Sequence, residues 1–243
     1  MEGPSLVILK EELQPFKGKK ILDISGNSTL DLNRMKNEKL LDIQSWGKHS
    51  ILVFENFAIR IHFLMFGSYR INEPKEGRIP RMAWTFKNGD VYFYTCSIQF
   101  IDRDINSIYD WTIDTMSDQW DEKKAVKSIL KNKQRLVCDV ILDQEIFAGV
   151  GNIIKNEVLF NLQMHPETTI ETLSTKRIGQ LVKETRDYCF SFYKWKKVYE
   201  LRKHWNIYKK RKCSVCSTPC IIGKTGKGQR LTYFCPICQA KCA

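Results

Sequence analysis

The sequence predicts an α+β fold in two domains: a β-sandwich led by one helix, then a helical domain that ends in a small metal-bound β-hairpin. Three observations carry this reading. Short runs rich in Ile, Val, Phe and Tyr, separated by turns such as Glu55-Asn56 and Asn88-Gly89-Asp90, fill the first half. From about Ser117 the texture turns helical. Two Cys-x2-Cys pairs stand close to the end of the sequence. The expected boundaries are 1–116 for the N-terminal β-sandwich domain, 117–200 for the helical domain, and 201–243 for a basic linker and the four-cysteine hairpin.

Taken in order, Ser5 to Phe16 places Leu6, Val7, Leu9, Leu13 and Phe16 on one helical face with Glu11 and Glu12 opposite, and Ser5, after Pro4, is the expected cap. Strands are expected over Lys20–Ile24, Lys39–Trp46, Ser50–Phe54, Ala58–Met65, Met82–Phe86 and Val91–Cys96, and regular short strands of this kind build sandwiches or barrels. Asp121 to Asn132 reads as an amphipathic helix with acids first and lysines last, matching the helix dipole. Asp143 to Phe160 (DQEIFAGVGNIIKNEVLF) reads as helix, Gly-rich turn and helix, and Ser174 to about Lys197 as a long aromatic-rich helix. Lys194 to Lys212, dense in cations and aromatics, is expected to link to the tail.

Lys plus Arg number 39 and Asp plus Glu 27, an excess of +12, which points to a polyanionic partner, with nucleic acid first. No apolar run approaches a bilayer span and no basic amphipathic helix stands out, so no membrane partner is expected. The start, MEGPSLVILKEEL, lacks the features of a signal peptide, which leads to the expectation of a reducing, cytoplasmic or nucleoid-associated setting. Of nine cysteines, Cys96, Cys138 and Cys189 sit among apolar neighbours as core thiols. Cys213, Cys216, Cys220, Cys235, Cys238 and Cys242 crowd the tail.

Cys213-x2-Cys216 and Cys235-x2-Cys238 each supply a two-thiolate bite, and four thiolates close one tetrahedral Zn²⁺ site of structural type, with no open position for catalysis. Between them GKTGKGQRLTYF alternates like a hairpin with Arg230 at its tip. Cys220 and Cys242 have no Cys-x2-Cys partner, though either can compete as a ligand.

Four further features have both a functional and an ordinary reading. The turn at Gly149, Gly151 and Asn152 opens a helix, whose free N–H groups can hold a phosphate; the ordinary reading is a plain helix connection. Met1-Glu2 sets an α-amine, whose ordinary pKa near 7.7–8.0 leaves a large fraction neutral and nucleophilic at physiological pH, beside a carboxylate able to move protons; the ordinary reading is a frayed end. Lys48, between two strands, reads alone as a solvated turn residue. Met65 and Phe66 alternate at a strand end, so one faces outward unless covered: either core packing or a wedge for a base stack.

Together these residues resemble the formamidopyrimidine-DNA glycosylase / endonuclease VIII (Fpg/Nei) family over nearly the whole chain. MEGP resembles the family's PEGP start, GKHSILVF its lysine-bearing hairpin, and IHFLMFGSYRI its HLGMSGSLRI strand. ILDQEIFAGVGNIIKNEVLF is similar to its helix–two-turn–helix signature, and CSVC…GQRLTYFCPIC to its zinc finger. The resemblance implies a base-excision-repair glycosylase with AP-lyase activity that nicks by β- and δ-elimination on damaged DNA, duplex or single-stranded, acting as a monomer. It implies Met1 at the site of the nucleophilic N-terminal proline, Glu2 as the catalytic glutamate and Lys48 as the lysine near the lesion phosphate. It further implies Asn152 and Arg230 as phosphate contacts within a DNA-holding segment that includes Gly149 and Gly151, and Met65 as the filler of the void in the duplex. Two departures matter. Met1 replaces the proline, so the primary amine of a retained methionine must act, and the alternative is a non-catalytic binder of damaged or abasic DNA. The arginine–phenylalanine pair of formamidopyrimidine-type enzymes has no counterpart in FIDRDINSIYD, which brings the chain nearer the endonuclease VIII branch and oxidised pyrimidines.

Overall fold

The structure is a computed structural model that describes residues 1–241; Cys242 lies outside the described residues. The chain divides into two units. One holds Met1 and Ser5–Asp110, and the other holds Glu2–Pro4 together with the chain from Trp111 onward.

Helix α1 runs Gly3–Glu12 and so starts before the expected cap. Ser5 is 4% exposed inside it and does not cap it. The earlier start has a local cause. The Gly3 N–H donates to the Gly149 carbonyl at 2.8 Å, and Pro4 has no N–H to satisfy in the first turn. Leu6 and Leu9 of this helix, and Leu13 just after it, are wholly buried, as their spacing requires.

The first unit is built on strands β1 (Asp23–Ser25), β2 (Asp42–Trp46), β3 (His49–Val53), β4 (Ala58–Ile71), β5 (Met82–Phe86) and β6 (Gly89–Ile101). They form one antiparallel sheet in the order β1-β5-β6-β4-β3-β2. β5 has the expected bounds. β4 and β6 are much longer than their apolar runs, because each serves both halves of the sheet. The outer part of β4, Ala58–Phe63, pairs with β3 and with residues 96–101, whereas Ser68–Ile71 pairs with residues 91–94 across a register shift. In a flat sheet β5 and β3, three strand spacings apart, would lie about 14 Å from each other. Yet Trp84 on β5 meets Phe54, at the end of β3, edge-on at 6.1 Å. The ladder therefore curls over its own core, so the two layers expected of a sandwich are one continuous sheet. Trp84, Phe93, Ile43, Leu52 and Ile59 fill the space between.

The second unit carries α2 (Glu122–Leu130), α3 (Val137–Val140), α4 (Asn152–Asn161) and α5 (Thr175–Lys197), then strands β7 (Ile221–Thr225) and β8 (Arg230–Phe234). Asp121 caps α2 through the Lys124 N–H, and Ser174 caps α5 through the Arg177 N–H. The helix expected ahead of the Gly-rich turn is a single turn, α3, lying further upstream. Residues from Ile141 to Val150 form successive turns, held by an ion pair of Arg135 with Asp143 at 2.6 Å and by Gln144. That amide accepts from the Gly149 N–H at 3.1 Å and donates to the Val150 carbonyl at 3.1 Å. Val137, Phe147, Val150, Ile154, Val158, Leu181 and Phe192 make the core. The hairpin has its own small core of Phe160, Ile207, Cys213, Tyr233 and Cys235. Among the described residues no helix is long and apolar enough to cross a membrane.

Candidate nucleic-acid and metal sites

In the first unit, β2 and β3 meet in a tight turn at Gly47 and Lys48, with Trp46 paired to His49. Gly47 takes φ +51°, a left-handed conformation that favours glycine. Lys48 is half-buried there. His49 pairs with His62 on β4, their rings edge-on at 5.5 Å. Burial first, then the charges of the Met1 α-amine, Lys48 and Arg60, hold His62 below the ordinary histidine pKa. Burial, aided by Arg60 and His62, takes His49 down to about 4. The unit therefore gathers the first amine, Lys48 and a neutral imidazole in one place. The sequence reading quoted His62 without assigning it a role; a signal was available in its place on the strand paired with the lysine turn.

Beyond His62, β4 breaks at Leu64–Gly67. Met65 is 70% exposed and Phe66 88% exposed, so the core-packing reading of this stretch fails for both. The register shift between Phe63 and Ser68 turns them away from the alternating face that would have buried one of them.

In the second unit, the expectation that the Gly-rich turn offers free N–H groups to a phosphate needs correction. Two of the first three N–H groups of α4 are already bonded: Ile153 donates to Glu2 Oε1 at 2.7 Å and Ile154 to Glu2 Oε2 at 3.3 Å. A carboxylate at a helix N-terminus also gains from the dipole. Gly151 permits this approach, since a Cβ there would stand 2.4 Å from Glu2 Cδ. Gly149 contributes a left-handed φ of +100° and the carbonyl that receives Gly3. The turn thus grips Glu2, and its glycines act as a seat for this carboxylate.

Helix α4 also fixes the hairpin. Asn152 Nδ2 donates to the Leu231 carbonyl at 2.8 Å, Lys155 Nζ to Thr232 Oγ1 at 2.6 Å, and the Tyr233 N–H to Asn156 Oδ1 at 2.7 Å. Three successive residues of β8 are tied to one helix face. Its neighbour Glu157, wholly buried, accepts the N–H groups of Asn206, Ile207 and Tyr208 at 2.8, 3.1 and 2.7 Å. Burial pushes the Glu157 pKa up, and those three bonds pull it partly back. The basic stretch before the hairpin is therefore anchored at this point. The hairpin tip is held from α3: the Lys227 and Gly228 N–H groups donate to the Asp139 carboxylate at 3.0 and 3.3 Å. The Arg230 side chain, exposed beside this tip, makes no hydrogen bond or ion pair among the described residues. The sequence reading missed Lys155, Asp139 and Glu157, whose roles depend on partners distant in sequence.

Cys213, Cys216, Cys235 and Cys238 bring their sulfurs within 4.8 Å of one another, a spacing that can hold a metal ion. Sγ separations of 3.8 Å (Cys213–Cys238) and 3.4 Å (Cys216–Cys235) are those of thiolates around one small cation. Cys220 lies outside this group, and burial followed by the charges of Cys213, Cys235 and Cys216 pushes its thiol up to about 11. Cys96, Cys138 and Cys189 are buried, as expected.

A family model, the formamidopyrimidine-DNA glycosylase H2TH domain, matches residues 112–189, the segment that holds α2 to α5 up to Cys189. Endonuclease 8-like 3 of Xenopus laevis is 33% identical over 240 residues, covering 90% of this chain and 38% of that protein. The chain thus spans well under half the length of that relative. Formamidopyrimidine-DNA glycosylase of Bacillus cereus is 26% identical, covering 91% of this chain and 88% of that protein. The crystal structure of Lactococcus lactis formamidopyrimidine-DNA glycosylase, non-covalently bound to DNA containing an AP site, superposes with a TM-score of 0.86 at 23% identity, over 99% of this chain and 100% of that one. With the H2TH segment, the full-length fold match and relatives of both branches in agreement, this chain belongs to the formamidopyrimidine-DNA glycosylase / endonuclease VIII family and has endonuclease 8-like relatives.

Proposed function

We propose that the chain is a base-excision-repair DNA glycosylase with AP-lyase activity that removes oxidised bases, pyrimidines foremost. The observation that carries the reading is the seat of Glu2. The residue next to the first amine is fixed by two N–H bonds from α4, at 2.7 and 3.3 Å. A frayed end needs no such seat, and a protein that only grips phosphate would leave those N–H groups for the phosphate.

In this reading the Met1 α-amine attacks C1′ of the damaged nucleoside. The N–C1′ bond forms as the glycosidic bond breaks, and the base departs with a proton. Loss of the amine's remaining proton and opening of the sugar ring, with Glu2 carrying the proton to the ring oxygen, give the imine. Removal of a 2′ proton then expels the 3′ phosphate, and the same logic at C4′ expels the 5′ phosphate. Lys48 holds the phosphate near the lesion and His62, neutral, is a proton acceptor beside the amine. Asn152 and Arg230 contact backbone phosphates, Gly149 and Gly151 shape the segment that presents Asn152, and Met65 enters the void. The basic excess adds affinity that falls with salt. The four cysteines hold one structural Zn²⁺, and the chelated hairpin keeps Arg230 in place.

Borohydride trapping on an abasic or thymine-glycol duplex, followed by mass spectrometry of the crosslinked peptide, tests the reading. A crosslink at the Met1 amine is expected. Tight binding with no crosslink at any lesion would leave a binder of damaged DNA, and a crosslink through Lys48 would overturn the nucleophile.

A further inference from the structure

Lys155 has no exposed surface, and the reaction described above makes no use of it. Of the three N–H donors of its ammonium, one is taken, by the neutral Thr232 hydroxyl at 2.6 Å. It forms no ion pair among the described residues. The acids that act on it are engaged elsewhere. Asp139 accepts from the Lys227 and Gly228 N–H groups, and Glu2 accepts from those of Ile153 and Ile154. A buried charge without a counter-ion is costly, and an apolar side chain of the same length would avoid the cost.

The surroundings add positive charge where a counter-ion would be expected. The Arg230 guanidinium, exposed on β8, acts on Lys155. One hydroxyl links the two residues: Thr232 accepts from Lys155 and donates to the Arg230 carbonyl at 3.0 Å. Asn152, three positions before Lys155 and so on the same face of α4, is fixed to the next residue of β8 through the Leu231 carbonyl. The start of α4 adds the positive end of its dipole. Ammonium, guanidinium and helix start thus converge, and an anion held between Asn152 and Arg230 relieves all three. For a chain with an excess of +12, that anion is a backbone phosphate of DNA.

We propose that Lys155 is a positioning residue of the phosphate site: its buried ammonium holds the Arg230 backbone through Thr232 and backs the bound phosphate with a positive charge that never touches it. The proposal rests on the reading that Asn152 and Arg230 contact phosphate. It gives binding a proton linkage. Burial first, then Arg230, takes the Lys155 pKa from 10.5 down to about 8, against the pull of Cys138, Asp139 and Glu2. The groups facing it are therefore Cys138 and Asp139 from α3, Arg230 from β8 and Glu2 from the chain start, with the neutral Thr225 and Thr232 from the hairpin. A bound phosphate favours the charged form, so DNA binding takes up a proton just above pH 8.

The test uses the zinc-loaded 243-residue chain and its Lys155→Met and Arg230→Gln variants, with a duplex bearing a tetrahydrofuran abasic analogue. Fluorescence anisotropy at pH 7 should show Lys155→Met binding about tenfold more weakly, the effect of one charge several ångströms from a phosphate across a protein interior. Near pH 9.5, where the wild-type lysine is mostly neutral, the difference should shrink to within about twofold. Titration calorimetry near pH 8.5, in buffers of different ionisation enthalpy, should show the wild type taking up about half a proton more per complex than Lys155→Met. Equal affinities at pH 7 overturn the proposal, as does a loss of the same size at both pH values or an equal proton uptake. Absence of any proton uptake by the wild type overturns it without recourse to a variant. Arg230→Gln separates the two readings. If it binds as tightly as the wild type, the phosphate reading of the hairpin fails; if it weakens binding while Lys155→Met does not, the role of Lys155 alone fails.

Discussion

Replacing Lys155 with methionine keeps the length of the side chain and removes its charge from the interior. Lys155 is 0% exposed, and the one hydrogen bond of its ammonium among the described residues goes to Thr232. Burial drives its pKa from 10.5 down to about 8; Cys138, Asp139 and Glu2 push it back up, and Arg230 adds to the fall. A gap of 10.5 − 8 = 2.5 units corresponds to about 3 kcal/mol of penalty on the charged form. The folded pKa is depressed, so below about pH 8 both states hold the proton and the whole penalty is present. Between about pH 8 and 10.5 the unfolded chain binds more protons, and stability rises with pH. From about pH 7 to about pH 9.5 this group alone should add roughly 2 kcal/mol to the stability of the wild type. The Thr232 hydroxyl keeps Thr225 at 2.6 Å and the Arg230 carbonyl at 3.0 Å, so methionine orphans no partner. Lys155→Met should therefore be the more stable protein at pH 7, by about 1–3 kcal/mol, and its advantage should shrink as pH rises. Urea unfolding at both pH values, with zinc saturating, measures the difference. An advantage that does not change with pH, or a destabilised variant at pH 7, would show that the buried ammonium is not the source of the penalty.

Two further perturbations separate the seat of the carboxylate from the metal hairpin. Gly151→Ala puts a Cβ 2.4 Å from Glu2 Cδ and should cut borohydride trapping at least about tenfold through misplacement of the carboxylate, while binding of abasic duplex stays within about threefold of wild type; equal loss of both would show general misfolding. Chelation, or Cys216→Ser, should remove one zinc per chain by elemental analysis, expose the hairpin to protease and weaken DNA binding at all lesions alike; tight metal retention after Cys216→Ser, with Cys220 alkylation blocked, would show Cys220 taking the vacant place.

The period-two and period-3.6 patterns made most elements legible, since apolar side chains that repeat on one face have to be buried on it. β5 matched its run, α5 followed its Ser174 cap, and the two Cys-x2-Cys pairs located the metal hairpin, because short-range spacing alone decides a two-thiolate bite. The element ends were less legible. β4 and β6 extend past their apolar runs because strand pairing, which is a long-range matter, continues across the bulge. In NIIKNEVLF, Lys155, Asn156 and Glu157 lie between the apolar residues, yet all three are buried. Burial is tolerable only because Thr232, Tyr233 and the Asn206–Tyr208 backbone meet them.

By itself, then, the sequence determined the class of fold, the order of its elements, the metal-type cysteine set and the order of motifs that resembles the family. Those depend on local periodicity and spacing. Only the tertiary structure decided that the N–H groups opening α4 hold Glu2, 151 residues away, that β8 is tied to α4 residue by residue, and that Met65 and Phe66 face outward. Each depends on which distant group reaches a polar atom or an apolar face first, and no local pattern encodes that competition.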